Sequence, residues 1–300
     1  MKLIVGKKNM RGLKKVRHSN ELNQTLSSIP ISAKRVLFLA LSRVNPTTEM
    51  DLDETIFITA HDYATVTRTD INHAYRNLKE GADTLRGIGL RLEKEEIQLI
   101  SEKIGLGGRA PDYMNLNLME YSLYEQERGR IGVKFTRTAS QYISSIIGHE
   151  RKYTAQALIS VVMLSTTHST TLYQLIRKKI GLSKQRYAHG FEIDLDELRK
   201  EMGLIGDDGA LLWNEYPIFK RDVLNKAIKE IEAKTEVFDL SFTVSGKVGR
   251  KVSRLLFQYT INEEKFTHQL AREGKTTKQL ADEEFLESFD KLFPKADDSE

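Results

Sequence analysis

One order of elements occurs twice in this chain of 300 residues, and that duplication restricts its fold more than any other feature. In the first half a helix capped by Ser32 carries Val36, Leu37, Ala40, Leu41 and Val44, and Pro46 stops it. TIFIT, residues 55–59, is rich in β-branched side chains and reads as a short strand. A short helix over 60–66 and a polar turn at 67–70 lead into TDINHAYRNLKEGADTL. There Ile71, Ala74, Tyr75, Leu78, Ala82 and Leu85 recur at helical spacing. Residues 118–124 then alternate apolar and polar, a Glu/Arg/Gly turn follows at 125–129, and IGVKFTRT completes a β-hairpin.

The second half repeats the order. Thr170 to Ile180 is a helix with Leu172, Leu175, Ile176 and Ile180 inward. Phe191–Ile193 is a short strand, and Asp194 or Asp196 caps a brief helix that ends at Gly203. A long helix runs from Pro217 to Thr235, with its proline in the first turn, where a missing N–H costs nothing. Phe219, Val223, Ala227, Ile228 and Ile231 form its apolar stripe. VFDLSFTV and SRLLFQYTI are strands joined by a basic, glycine-containing loop. Helix, strand, short helix, long helix and hairpin make a winged helix. The expectation is an α+β fold of two tandem winged-helix domains, 18–148 and 149–262, with the boundary near Ile147–Glu150. A basic tail (1–17) precedes them, an acidic tail (263–300) follows, and 93–114, with its loop GLGGRAPD, reads as an insertion.

Charge narrows the function. The formal net charge is only +4, but the first twenty residues hold seven Lys or Arg and no acid. Residues 262–300 hold eleven acids and six basic residues, which leaves 1–261 at +9. A basic body with an acidic tail suits a polyanionic partner. The absence of Cys excludes disulfide scaffolds, thiolate metal sites and cysteine catalysis, and fits a cytoplasmic protein. The longest uncharged stretch, 153–176, carries too many polar side chains for a bilayer, so no membrane association is expected.

Enzyme signatures fail in turn. His149–Glu150 could open a zinc-protease helix, but Tyr153 stands where the second His is required. None of the seven His has another three to five residues away. Gly274–Lys275–Thr276 resembles the end of a phosphate loop, but Gln269 replaces its first glycine. The expectation is therefore no catalytic residue, no metal and no cofactor.

The positive signals are three basic surfaces. The long helix of the first half offers Asn72, His73, Arg76, Asn77 and Lys79. Those donors and acceptors suit base edges in a major groove, and they equally suit a face that binds protein. The long helix of the second half offers Lys220, Arg221, Asn225, Lys226 and Lys229. Basic residues in a first turn oppose the helix dipole, so a bound polyanion is the better reading there. The loop Ser245–Arg254 carries Lys247, Arg250, Lys251 and Arg254 and no acid, as a wing along a phosphate backbone would.

On these residues the chain resembles a known family. AHDYATVTRTDINHAYRNLKEGADTLRG (60–87), THSTTLYQLIRKK (167–179), IDLDELRKEMGL (193–204), YPIFKRDVLNKAIKEIEAKTEV (216–237) and GRKVSRLLF (249–257) are similar to the iteron-binding replication initiators (Rep proteins) of theta-replicating bacterial plasmids. RHSNELNQTLSSIPISAKRVLFLAL (17–41) fits their first helices. The resemblance implies no intrinsic catalysis. It implies a second domain that reads one end of a repeated origin element, or iteron, in double-stranded DNA. The first domain contacts the other end in the monomer and otherwise forms a homodimer interface.

It also implies that monomers initiate replication while dimers repress their own gene at an operator. Host replication initiator, replicative helicase and chaperones would be partners. By that likeness Lys220 and Arg221 follow the leading aromatic, Phe219, Arg250 and Lys251 lie in the wing, and Arg76 with its neighbours reads DNA from the first domain. Asp222 departs from the basic run of some relatives. The rival reading is a dimeric winged-helix repressor with no origin function.

Overall fold

A computed structural model of the chain describes residues 13–276 apart from 95–96, 99–100, 102–104, 110, 145–151, 183–188 and 207–208. The expected boundary at Ile147–Glu150, the basic residues Lys7, Lys8 and Arg11, and stretch 277–300 of the acidic tail lie outside the described residues.

The first half opens with β1 (Lys15–Ser19), α1 (Leu22–Ser28) and α2 (Ile31–Leu41). Two expectations for α2 are corrected. Pro30, in extended conformation, sits at the N-cap, and Ser32 is buried inside the helix. Proline's fixed φ already sets the approach to a helix, so no side-chain cap is used. The helix also stops at Leu41, before Val44 and Pro46, where Ser42 Oγ donates to Leu39 O at 2.7 Å. Arg43 then leaves the helix to pair with Asp62 at 2.8 Å and to donate to Phe57 O.

Strand β2 (Ile56–Thr59) runs into α3 (Ala60–Thr67) through a reciprocal cap. Asp62 N donates to Thr59 Oγ1 at 3.0 Å and Thr59 N to Asp62 Oδ2 at 2.8 Å. Arg68, left-handed at φ 54°, ends α3, and the chain turns at once into α4 (Ile71–Arg86). Of the stripe expected on α4, Ala74, Leu78, Ala82 and Leu85 are buried, but Ile71 and Tyr75 are exposed. Tyr75 covers the Gly129 turn, where φ is 54° and an added Cβ would lie 2.6 Å from the ring.

The region read as an insertion is bounded by a hairpin of its own. β3 (Gly89–Glu93) pairs antiparallel with β4 (Tyr113–Asn117). β5 (Met119–Glu125) and β6 (Arg130–Phe135) form the expected wing and join β2 in a sheet of order β2-β6-β5. The short helix α5 (Arg137–Ser140) closes this half.

The second half contains β7 (Tyr153–Ala157), α6 (Leu158–Met163), α7 (Thr167–Leu182), β8 (Gly190–Asp194) and α8 (Leu195–Glu201). Asp194 is the N-cap residue of α8, although its side chain makes no capping bond. Next come α9 (Tyr216–Phe219), a π-helical turn (Lys220–Leu224) and α10 (Asn225–Lys234) in one line. Finally β9 (Val237–Val248) and β10 (Lys251–Ile261) form a sheet of order β8-β10-β9, followed by α11 (Glu263–Thr276). The chain therefore has two winged helices, as its repeated order requires.

They are joined by more than a linker. β1 pairs antiparallel with β7, from Lys15 opposite Ala157 to Ser19 opposite Tyr153, so residues 15–17 of the basic segment are strand. Phe266 and Leu270 of α11 bury against Leu13, Ala157 and Phe238. His18, wholly buried between the strands, has its pKa lowered to about 4 by burial, and its neutral ring lies 3.1 Å from Gln156 Nε2. Arg35 of α2 donates to Val162 O at 2.9 Å and Leu164 O at 3.0 Å. One apolar core runs through both halves. Among the described residues no helix is long and apolar enough to cross a membrane.

The position of α4 depends on a close crossing with α2. A Cβ on Gly81 would lie 2.6 Å from Ser32 O and 2.7 Å from Val36 Cγ2. Backbone cannot yield as a side chain can, so Gly81→Ala is expected to destabilise by about 1–3 kcal/mol. Urea unfolding reads this directly, and a midpoint equal to the parent's would refute the close crossing.

Candidate nucleic-acid interface

The first candidate surface is the outer face of α4. Asp70 Oδ1 accepts from Asn72 N at 2.8 Å and so fixes the start of the helix. Asn72, His73, Arg76 and Lys79 are exposed, while Asn77 is half-buried. Lys79 Nζ lies 5.6 Å from the centre of the Tyr124 ring, so an aromatic of β5 supports one cation of the face. Among the described residues Arg76 has no ion-pair partner.

The second surface is the line α9–π-turn–α10. Phe219, Val223, Leu224, Ala227 and Ile231 are buried, which turns Lys220, Arg221, Asn225 and Lys226 outward together. Ile228, placed in the apolar stripe by spacing, is only half-buried. The π-turn is closed by Asn225 N donating to Lys220 O, and it spans the residues expected to meet bases. Such wide turns are rare and concentrate at functional sites. Lys220 Nζ lies 5.7 Å from the Phe242 ring centre, which ties the helix to β9. Arg221 and Lys226 both pair with Asp222, at 2.6 and 3.1 Å.

The third surface differs most from expectation. Residues 245–254 are not a loose loop, because β9 and β10 continue to Val248 and Lys251 and leave a two-residue turn, Gly249–Arg250. Gly249 has φ 60°, the conformation that the first position of a tight hairpin turn requires. Lys247, Arg250 and Lys251 are exposed at this stiff tip. Arg254 is not free. Its Nε lies 3.1 Å from Asp194 Oδ1 and its Nη1 3.4 Å from Glu192 Oε2, acids that β8 brings alongside β10. The absence of acids within 245–254 could not reveal partners on another strand. Val248 is 74% exposed between Lys247 and Gly249, a placement that strand alternation alone does not signal.

Two basic helices and a basic hairpin tip thus project from the double winged helix. Comparison with known proteins agrees with that geometry. Residues 15–177 match the family described as Initiator Replication protein, WH1, and residues 194–259 match Initiator Rep protein, WH2. The PI protein of Escherichia coli is 38% identical over 288 residues, which cover 93% of this chain and 94% of that protein. Among solved structures, a crystal structure of the Pi initiator protein in complex with iteron DNA is similar at a TM-score of 0.75 and 39% identity. The match covers 84% of this chain and 98% of that one. The chain belongs to the initiator replication protein family, with its WH1 and WH2 domains in that order.

Proposed function

We propose that this protein initiates plasmid replication by binding iteron duplexes in a sequence-specific manner. Residues 18–148 and 149–262 act as the two DNA-contacting units. The observation that carries this is the likeness, over 84% of the chain, to an initiator whose structure is described in complex with iteron DNA. It is supported by the outward cations of α4, of the α9–α10 line and of the β9–β10 tip. Asn72, His73, Arg76, Asn77, Lys79, Lys220, Arg221, Asn225 and Lys226 would face the major groove. Lys247, Arg250 and Lys251 would follow the backbone of the adjoining groove. Arg254, held by two acids, would brace the wing rather than contact DNA.

The working form on iterons is the monomer, and a homodimer formed through the first domain represses the protein's own operator. Host initiator, helicase and chaperones act on the bound complex in the bacterial cytoplasm. Membership in an initiator family favours this over a repressor without origin function.

Footprinting on DNA flanking the gene, at two salt concentrations, tests the proposal. Evenly spaced direct repeats should be protected, and protection should weaken steeply with salt. Protection of a single inverted repeat alone would leave only the repressor. Within that assay Arg221→Ala should weaken iteron binding by about 1–3 kcal/mol and relax base preference at one position. Lys247→Ala should weaken binding to every sequence and lower the salt slope by about one. Equal losses on iteron and unrelated duplex for Arg221→Ala would exclude it as a base reader.

A further inference from the structure

Two exposed cations of the α9–α10 line, Arg221 and Lys226, share one acid. Asp222 Oδ2 accepts from Arg221 Nη2 at 2.6 Å and from Arg221 Nε at 3.1 Å. Its Oδ1 meets Lys226 Nζ at 3.1 Å. The carboxylate is largely covered, at 18% exposure, while the two cations stand out at 72% and 71%. Hydrogen bonds from Arg221 and then Lys226 hold its carboxyl at about 2, so it stays ionised wherever DNA binds. Neighbouring positions of an α-helix do not face one another, yet Arg221 and Asp222 meet here, within the π-turn.

Two consequences follow. Binding Asp222 through Nε and Nη2 leaves Arg221 Nη1, and the second hydrogen of Nη2, pointing away from the acid. That end of a guanidinium pairs with guanine O6 and N7. The triad Arg221–Asp222–Lys226 also carries a net charge of +1 rather than +2, and its acid repels phosphates. A phosphate that meets this free end is opposed by the negative charge of Asp222, whereas an uncharged guanine is not.

We propose that Asp222 is a positioning and specificity residue of the DNA-reading helix. It presents Arg221 to a base and makes the same surface a poor ligand for DNA backbone alone. Discrimination of this kind is a difference between two affinities, and weakening the wrong complex contributes as much as strengthening the right one. The inference rests on the assignment of this helix to DNA reading, so the test includes both.

The test uses the full chain and two duplexes of equal length and composition. One carries the repeat protected upstream of the gene, and the other is a scrambled version of it. Asp222→Asn should bind the scrambled duplex more tightly, with a steeper salt dependence, and gain nothing on the repeat. The ratio of the two affinities should fall about tenfold. Asp222→Glu, which keeps the charge, should restore most of the ratio. Matching thermal unfolding midpoints for both variants would exclude a folding defect, and a structural role alone would not steepen the salt dependence.

An unchanged ratio in Asp222→Asn, with Arg221→Ala still lowering it, would overturn the role of Asp222. An unchanged ratio in both variants would overturn the assignment of the helix itself, and the inference with it.

Discussion

Replacing Lys34 with methionine is expected to stabilise the protein by about 3–5 kcal/mol near neutral pH. Lys34 lies on α2, wholly buried, and its Nζ has no hydrogen-bond partner among the described residues. Burial pushes its pKa down to about 7. Lys34 in turn acts on His168 of α7, whose pKa is lowered by burial first and by Lys34 second. A free lysine titrates near 10.4, so between about pH 7 and pH 10.4 the unfolded chain holds a proton that the folded chain has released. Stability therefore rises with pH across that window, and below about pH 7 the full cost of burying the charge is present. Methionine fills a similar volume without a charge. Urea midpoints at pH 7 and pH 9.5 check both parts. The variant should exceed the parent most at pH 7 and lose the parent's upward slope. A variant no more stable than the parent at pH 7 would mean that Lys34 finds a partner.

Glu236→Ala should act in the opposite sense, destabilising by about 3–5 kcal/mol. Glu236 is wholly buried between the end of α10 and the start of β9. It accepts from Tyr173 Oη at 2.7 Å, from Arg177 Nη1 at 3.1 Å and from Ser160 Oγ at 2.5 Å. Arg177 reaches on through Nε to Ala155 O of β7, at 2.8 Å. The carboxylate therefore fastens the end of α10 and the start of β9 to the strand that joins the two halves. Removing it leaves a buried guanidinium and a phenol without their acceptor, and such orphaned groups are costly. Chemical unfolding should show the loss, and iteron affinity should fall with it if both halves contact DNA as proposed. A loss under about 1 kcal/mol would show that water enters and replaces the carboxylate.

The long helices and both wings were legible because their signal is periodic and local. Ala74, Leu78, Ala82 and Leu85 repeat at helical spacing, and Val237–Val248 with Lys251–Ile261 alternate around a glycine. What escaped is non-local. Nothing within KVRHS announces a partner at residues 153–157, and nothing near residue 93 announces pairing with residue 113. Ser32 is a good capping residue type, but the proline two residues earlier sets the helix start. Tyr75 had helical spacing with the core residues, yet it lies over a turn that only the tertiary fold brings near.

In the candidate interface, residue types and exposure could be read, but pairing could not. Arg254 is occupied by acids from β8, and Asp222 shares its charge with Arg221 and Lys226. The π-turn leaves no mark on the apolar stripe, because Phe219, Val223, Ala227 and Ile231 stay buried through it.

The pairing of β1 with β7 also governs the timing of assembly on the ribosome. Lys15 has no strand to meet until Ala157 has been made. At about 5–20 residues per second that interval lasts roughly 7–30 seconds, far longer than a hairpin or helix needs to form. The first winged helix can thus collapse early while its opening strand still presents an unpaired edge, the kind of surface on which nascent chains stick to one another. Ribosomes that stop between the two halves would release fragments with that edge permanently open, so such fragments should aggregate where the finished protein does not.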